Sequence, residues 1–234
     1  NQQPNTPLAS SQLKLLSLLN KIGALKGIKP ADEDKLLPEL QWLYRRSEDG
    51  AVPKLRRYEA QRWIKDALAK KYKLQNDPVK AECFVSTPGF YANDKNIEKL
   101  KALMTKKTPT RYEQFCTSIS EKKAEGLWAF QAIRDAYGDN IDAAIENMGK
   151  AGEEAEVLLA GNPFNARIND CHDCDHMATQ KVKYSKLFFL QKLKEMKDNI
   201  ARGVDVYSNA VLLGNALYNM SHYGNARYFY ESAV

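Results

Sequence analysis

The 234-residue chain lacks any apolar run approaching the roughly 20 residues that a membrane-crossing helix requires, so it offers no candidate transmembrane segment. It also lacks a glycine-rich phosphate loop, a locally spaced serine, histidine and acid set, and a paired-carboxylate motif. With the local signatures of catalysis missing, the chain reads as a non-enzyme. Clusters of β-branched residues are sparse, which disfavours strands. Four cysteines do not make a disulfide framework in a chain this long, and Cys83 and Cys116 stand isolated.

What is present is ordinary for a globular protein, with 44% hydrophobic and 27% charged residues. Leucine, lysine, alanine and glutamate dominate, which is the composition of helices. The length suffices to bury a substantial core, as one large helical domain or two small ones. A formal charge of +6 arises from 35 basic against 29 acidic residues, too modest an excess to identify an acidic partner. Residues 1–9, beginning Asn1-Gln2-Gln3-Pro4, read as a polar tether without a methionine or signal-peptide pattern. Removal of an export signal leaves such a tether, which favours an exported or cell-envelope location over the cytoplasm. A boundary within a longer chain is the alternative.

Residues 10–75 read as a helical N-terminal region. Ser10 is expected to cap a helix in which Leu15, Leu18, Leu19 and Ile22 recur at helical spacing, closed by Gly27 and Pro30. A second helix opens at Pro30 or Ala31 and carries Leu36, Leu37, Leu40, Leu43 and Tyr44. Pro38 is tolerable there only in the first turn, where its missing N–H does no harm. Together these two predict a helical hairpin. A third helix from about Pro53 carries a stripe of Ala60, Ile64, Ala67, Leu68 and Tyr72. Its other faces are basic, with Arg62, Lys65, Lys70, Lys71 and Lys73 near Tyr58 and Trp63, the composition of a nucleic-acid patch over residues 54–73. A solvated face paired with Glu59 and Asp66 is the simpler reading, so nucleic acid is not the expected partner.

Periodicity fails over residues 76–93, where Asn76-Asp77-Pro78 and Ser86-Thr87-Pro88-Gly89 signal turns, and the segment reads as an irregular loop or internal boundary. Residues 94–168 return to helical hairpins. Thr108-Pro109 should cap and begin a helix with Tyr112, Phe115, Cys116 and Ile119 on one face, which makes Cys116 a buried thiol and not a nucleophile. Beyond it, Leu127, Trp128, Phe130, Ile133 and Tyr137 mark one helix. After a turn at Gly138-Asp139-Asn140, a second carries Ile141, Ala144, Ile145, Met148 and Ala151.

Residues 169–178 form a polar loop that packs Cys171, His172, Cys174 and His176 into six consecutive residues. Thiolate and neutral imidazole are the ligands zinc prefers, and Asp173 or Asp175 could orient a ligating ring. So short a segment rarely wraps four donors around one ion, and a complete site needs a ligand from elsewhere. The competing readings are a Cys171 to Cys174 disulfide and a loop that caps a helix beginning near Thr179. These two together outweigh zinc, the one cofactor that the sequence suggests.

The last region, residues 179–234, opens with an amphipathic helix to Arg202 carrying Phe189, Leu193, Met196 and Ile200, then Gly203. There follows Leu213-Gly214-Asn215-Ala216-Leu217-Tyr218-Asn219-Met220-Ser221-His222-Tyr223-Gly224-Asn225-Ala226-Arg227-Tyr228-Phe229-Tyr230-Glu231-Ser232-Ala233. With its Leu-Gly pair, central tyrosine, small residue in the second helix, aromatic and closing alanine, this stretch resembles a tetratricopeptide repeat. Residues 139–146 resemble the second helix of a degenerate copy. Ala210 stands at the family's tryptophan position, and the closing proline would lie beyond Val234, which predicts a truncated array. The resemblance implies an all-α fold of antiparallel helical hairpins stacked as an α-α superhelix, with Gly214 and Ala226 where the hairpin's helices touch. It further implies a scaffold that binds a protein or peptide, with Asn215, Asn219 and Arg227 beside an exposed groove. His222, at the repeat's turn, reads as a surface residue.

Overall fold

Ten α-helices and two short 3-10 turns make up the regular structure of the described residues, and the fold is all-α. The computed structural model describes residues 7–44, 54–165, 182–221, 224, 226 and 229, without the side chains of residues 7–9 and 54–56. The chain divides into two compact units, residues 1–123 and 124–234.

In the first unit, α1 (Pro7–Ala24) begins three residues before the expected cap, so Ser10 lies inside the helix. Leu18 and Ile22 are fully buried, and α1 packs chiefly on α3 (Lys54–Leu74). The expected hairpin with α2 (Pro30–Tyr44) is therefore not the main packing; α2 lies mostly against α6 (Arg111–Ile119). Pro38 sits in the interior of α2 and not in its first turn. An interior proline costs about 3 kcal/mol. Burial of Leu36, Leu37, Leu40 and Leu43 on the other side offsets it, each apolar side chain contributing about 1.5–3 kcal/mol. Just beyond α1, a Cβ at Gly27 would lie 2.7 Å from the Gln75 amide oxygen and displace that side chain. That amide pairs with both backbone groups of Ile28, accepting from its N–H at 2.7 Å and donating to its carbonyl at 3.2 Å.

The segment 76–93 contains more order than its broken periodicity suggests. Pro78–Phe84 forms α4, with Asp77 accepting from the Lys80 N–H at 3.0 Å as the N-cap and Pro78 starting the helix. Five of its residues, Val79, Ala81, Glu82, Cys83 and Phe84, are buried, which is why no amphipathic period shows. A 3-10 turn at Phe90–Ala92 leads into α5 (Asp94–Met104). The cap of α6 is Thr110 and not Thr108. Thr110 accepts from the Glu113 N–H at 3.1 Å, and Glu113 accepts in return from the Thr110 N–H at 2.7 Å, a reciprocal pair that satisfies two orphan donors.

In the second unit, α7 (Ala124–Tyr137) and α8 (Ile141–Gly149) meet across the expected turn, with Asp139 at φ 62°. Ala129, Ala132, Ala136 and Ala144 are all buried, so the two backbones approach closely over small side chains. A 3-10 turn at Gly152–Glu156 follows. The next helix, α9 (Lys186–Ala201), starts later than the sequence suggests, since Ser185 caps it and the Leu159 N–H claims the Tyr184 carbonyl at 2.8 Å. The helix α10 (Val206–Asn219) comes last. Packing follows chain order: α7 on α8, α8 on α9, α9 on α10. An aromatic knot closes the core, with Phe189 5.6 Å from Phe164 and 5.4 Å from Phe229.

Candidate interaction surface

The asparagines expected beside an open groove are tied to the protein itself. Asn219 is 3% exposed, and its amide donates to the carbonyls of Pro163 at 2.9 Å and Asn165 at 3.1 Å. Asn215 donates to the Phe164 carbonyl at 3.3 Å. Asn219 is thus buried and Asn215 half-buried, and their amides serve three successive carbonyls of the turn at residues 163–165. Arg227 and His222 lie outside the described residues.

The glycines of this stretch are also reassigned. Gly214 is exposed, and a Cβ built on it meets nothing within 4 Å. The close approach falls at Gly224, where a Cβ would overlap the backbone of Asn219. Ala226 is fully buried, as expected, and its N–H donates to the Asn219 carbonyl at 3.0 Å.

The side of α10 turned to solvent is apolar. None of its 14 residues is charged. Leu212, Ala216 and Asn219 face the core or its margin, while Tyr207, Ala210, Val211, Gly214, Leu217 and Tyr218 form one continuous stripe on the opposite side. Tyr207 is 82% exposed, Leu217 51%, Val211 44% and Tyr218 40%. Apolar residues gathered into one stripe and left in water differ from the singly scattered apolar residues of an ordinary surface. Sequence reasoning passed over it because a period of 3.6 identifies one apolar face and assigns it to the core.

Unit 1 holds a different construction, a buried polar cluster where α2, α3, α4 and α6 converge. Glu33 is 5% exposed; one carboxylate oxygen accepts from the Tyr72 hydroxyl at 2.9 Å and from the Lys80 ammonium. For Lys80, burial acts to lower the pKa, but the bond to Glu33 and its charge outweigh it and the net shift is upward. Burial drives the phenols of Tyr72 and Tyr112 far above their ordinary range. It pushes the Cys83 thiol up to about 12 and the Cys116 thiol well above its usual value. Raised thiols in a packed interior are inert, which agrees with Cys116 as a core residue. The cluster ties four helices together.

The basic helix α3 spends part of its charge internally. The Lys71 ammonium donates to the Gly23 carbonyl at 2.8 Å and to that of Leu25, closing the C-terminal end of α1. Lys65 donates to the Ile119 carbonyl at 3.3 Å. Lys70 and Lys73 line an open groove of about 370 Å³, but Asp66 stands in the same groove with Ala69, Leu74 and Val85. The zinc candidates Cys171, His172, Cys174 and His176 all lie outside the described residues. Among the described residues, no group of histidine, cysteine, aspartate or glutamate side chains has the arrangement of a metal site. Compared with protein-family models, curated proteins and solved structures, the chain has no match.

Proposed function

We propose that this chain is a non-enzymatic interaction module, a helical scaffold that engages a protein through α10. The observation that carries the reading is the uncharged, solvent-facing stripe of Tyr207, Val211, Leu217 and Tyr218 on a helix whose other side is already in the core. The tetratricopeptide-like stretch supports it by analogy, since such repeats present helices to protein partners. The site of engagement differs from the asparagine groove, because Asn219 is committed to the Pro163 and Asn165 carbonyls.

The test compares the immobilised chain with its Val211→Asp variant. Val211 is 44% exposed, so the substitution leaves the core intact while placing a charge in the stripe. Proteins retained by the parent should be lost from the variant at unchanged helicity. Identical retention by both would remove α10 from the account.

A further inference from the structure

The geometry points to a second copy of this chain as the body that covers α10, paired antiparallel about a two-fold axis. The inference rests on the interaction reading above and names its partner. The crest of the stripe is Tyr207, Val211, Gly214 and Tyr218, with successive spacings of 4, 3 and 4 residues. That order of spacings is unchanged on reversal, and the crest spans about 16 Å at 1.5 Å per residue.

Reversal also matches large groups to small ones. In an antiparallel pair centred between Leu212 and Leu213, Val211 of one copy falls opposite Gly214 of the other, and Tyr207 falls opposite Tyr218. Each valine meets a position with no side chain, where a built Cβ meets nothing within 4 Å beyond the adjoining backbone of α10 itself. The tyrosines close both ends as offset aromatic pairs. A parallel pair would instead set Gly214 against Gly214 and leave a void. Self-complementarity of this kind is what an isologous two-fold interface requires, residue i meeting j and j meeting i.

Charge and area agree with the same occupant. A partner carrying charged side chains would bury them against a helix with no counter-charge, whereas a second α10 brings none. Covering the stripe removes roughly 500 Å² from each copy, against about 800 Å² per partner in a standard interface. The pair therefore lies at the low end of specific interfaces, and it should come apart on dilution.

Sedimentation velocity on the full chain, across about a hundredfold range of concentration, tests the assignment. The parent should pass from the mass of one chain to that of two. Val211→Asp and Gly214→Leu should both remain single chains at every concentration with native circular dichroism. The glycine variant is the sharper probe, because a leucine there finds open space in the lone chain and collides with Val211 only in the pair. A Tyr58→Ser control in unit 1 should dimerise as the parent does. A parent that stays single throughout, or an association that survives both variants, would overturn the assignment. If the single-chain parent still loses its captured proteins on Val211→Asp, the second copy is wrong and the interaction reading stands. If capture is also unchanged, both fail.

Discussion

Gly214 and Gly224 show at the scale of single residues what a sequence leaves open. The repeat pattern assigns the helix contact to Gly214 and gives Gly224 no role; the backbone approach in the structure belongs to Gly224. Which glycine is confined depends on how α10 is rotated about its axis, and that rotation is set by Ala216, Asn219 and Met220 entering the core. Asn219 was legible as a polar helix residue, but the carbonyls it serves lie more than fifty positions earlier, beyond any local pattern. The two glycines therefore respond oppositely to alanine. Gly214→Ala should stabilise the chain by about 1 kcal/mol, the helix-propensity gain at an open position. Gly224→Ala should destabilise it by about 1–3 kcal/mol, since the added methyl must displace backbone. Urea unfolding of both variants, at a concentration low enough to keep the chains single, checks the pair; the reverse order would return the close contact to Gly214.

At the scale of elements, the helices with one apolar face were visible in the sequence and those buried on several sides were not. The turn at Gly138-Asp139-Asn140 and the helices on either side of it fall where spacing put them. The helix α4 was missed as an element although Asp77 and Pro78 announced its start, because five of its seven residues are buried and no period survives. Its Lys80 joins Glu33 and Tyr72 in the polar cluster, which no local motif could have assembled. Lys80→Met removes one member of a buried pair and should cost about 3 kcal/mol, whereas combining it with Glu33→Leu should cost less than the sum of the two single changes. The cluster also sets a pH response. Lys80, Cys83 and Cys116 all hold their protons more tightly in the fold than their ordinary values of 10.5, 9.0 and 9.0. Above about pH 9 the unfolded chain therefore gives up protons first, so stability falls as pH rises through the alkaline range. Thermal unfolding followed from pH 7 to 11 should show the midpoint flat at first and dropping beyond 9. A rising midpoint would place the thiols in water.

On the scale of the whole molecule, the sequence conveyed the class and much less of the organisation. Helical composition and sparse β-branched clusters led to an all-α fold, which the structure has. The division into units falls at Lys123 and Ala124, while the strongest sequence signal for a boundary lay in residues 76–93. Prolines and glycines mark turns, but a unit boundary is defined by which helices share a core, and α4 shares one with α3, α5 and α6. The interaction surface follows the same logic. A leucine, valine and tyrosine pattern on α10 looks like core from sequence, and only the placement of α9 shows which half of it remains in water.

Hydroxyl-radical footprinting of the full chain at low and high concentration addresses the central claim most directly. Tyr207 on α10 and Tyr58 on α3 are both well exposed, at 82% and 68%, so both should be oxidised readily in dilute solution. Raising the concentration should protect Tyr207 and Tyr218 and leave Tyr58 unchanged. Reactivity at Tyr207 that does not change with concentration, or that falls in step with Tyr58, would contradict self-pairing through α10.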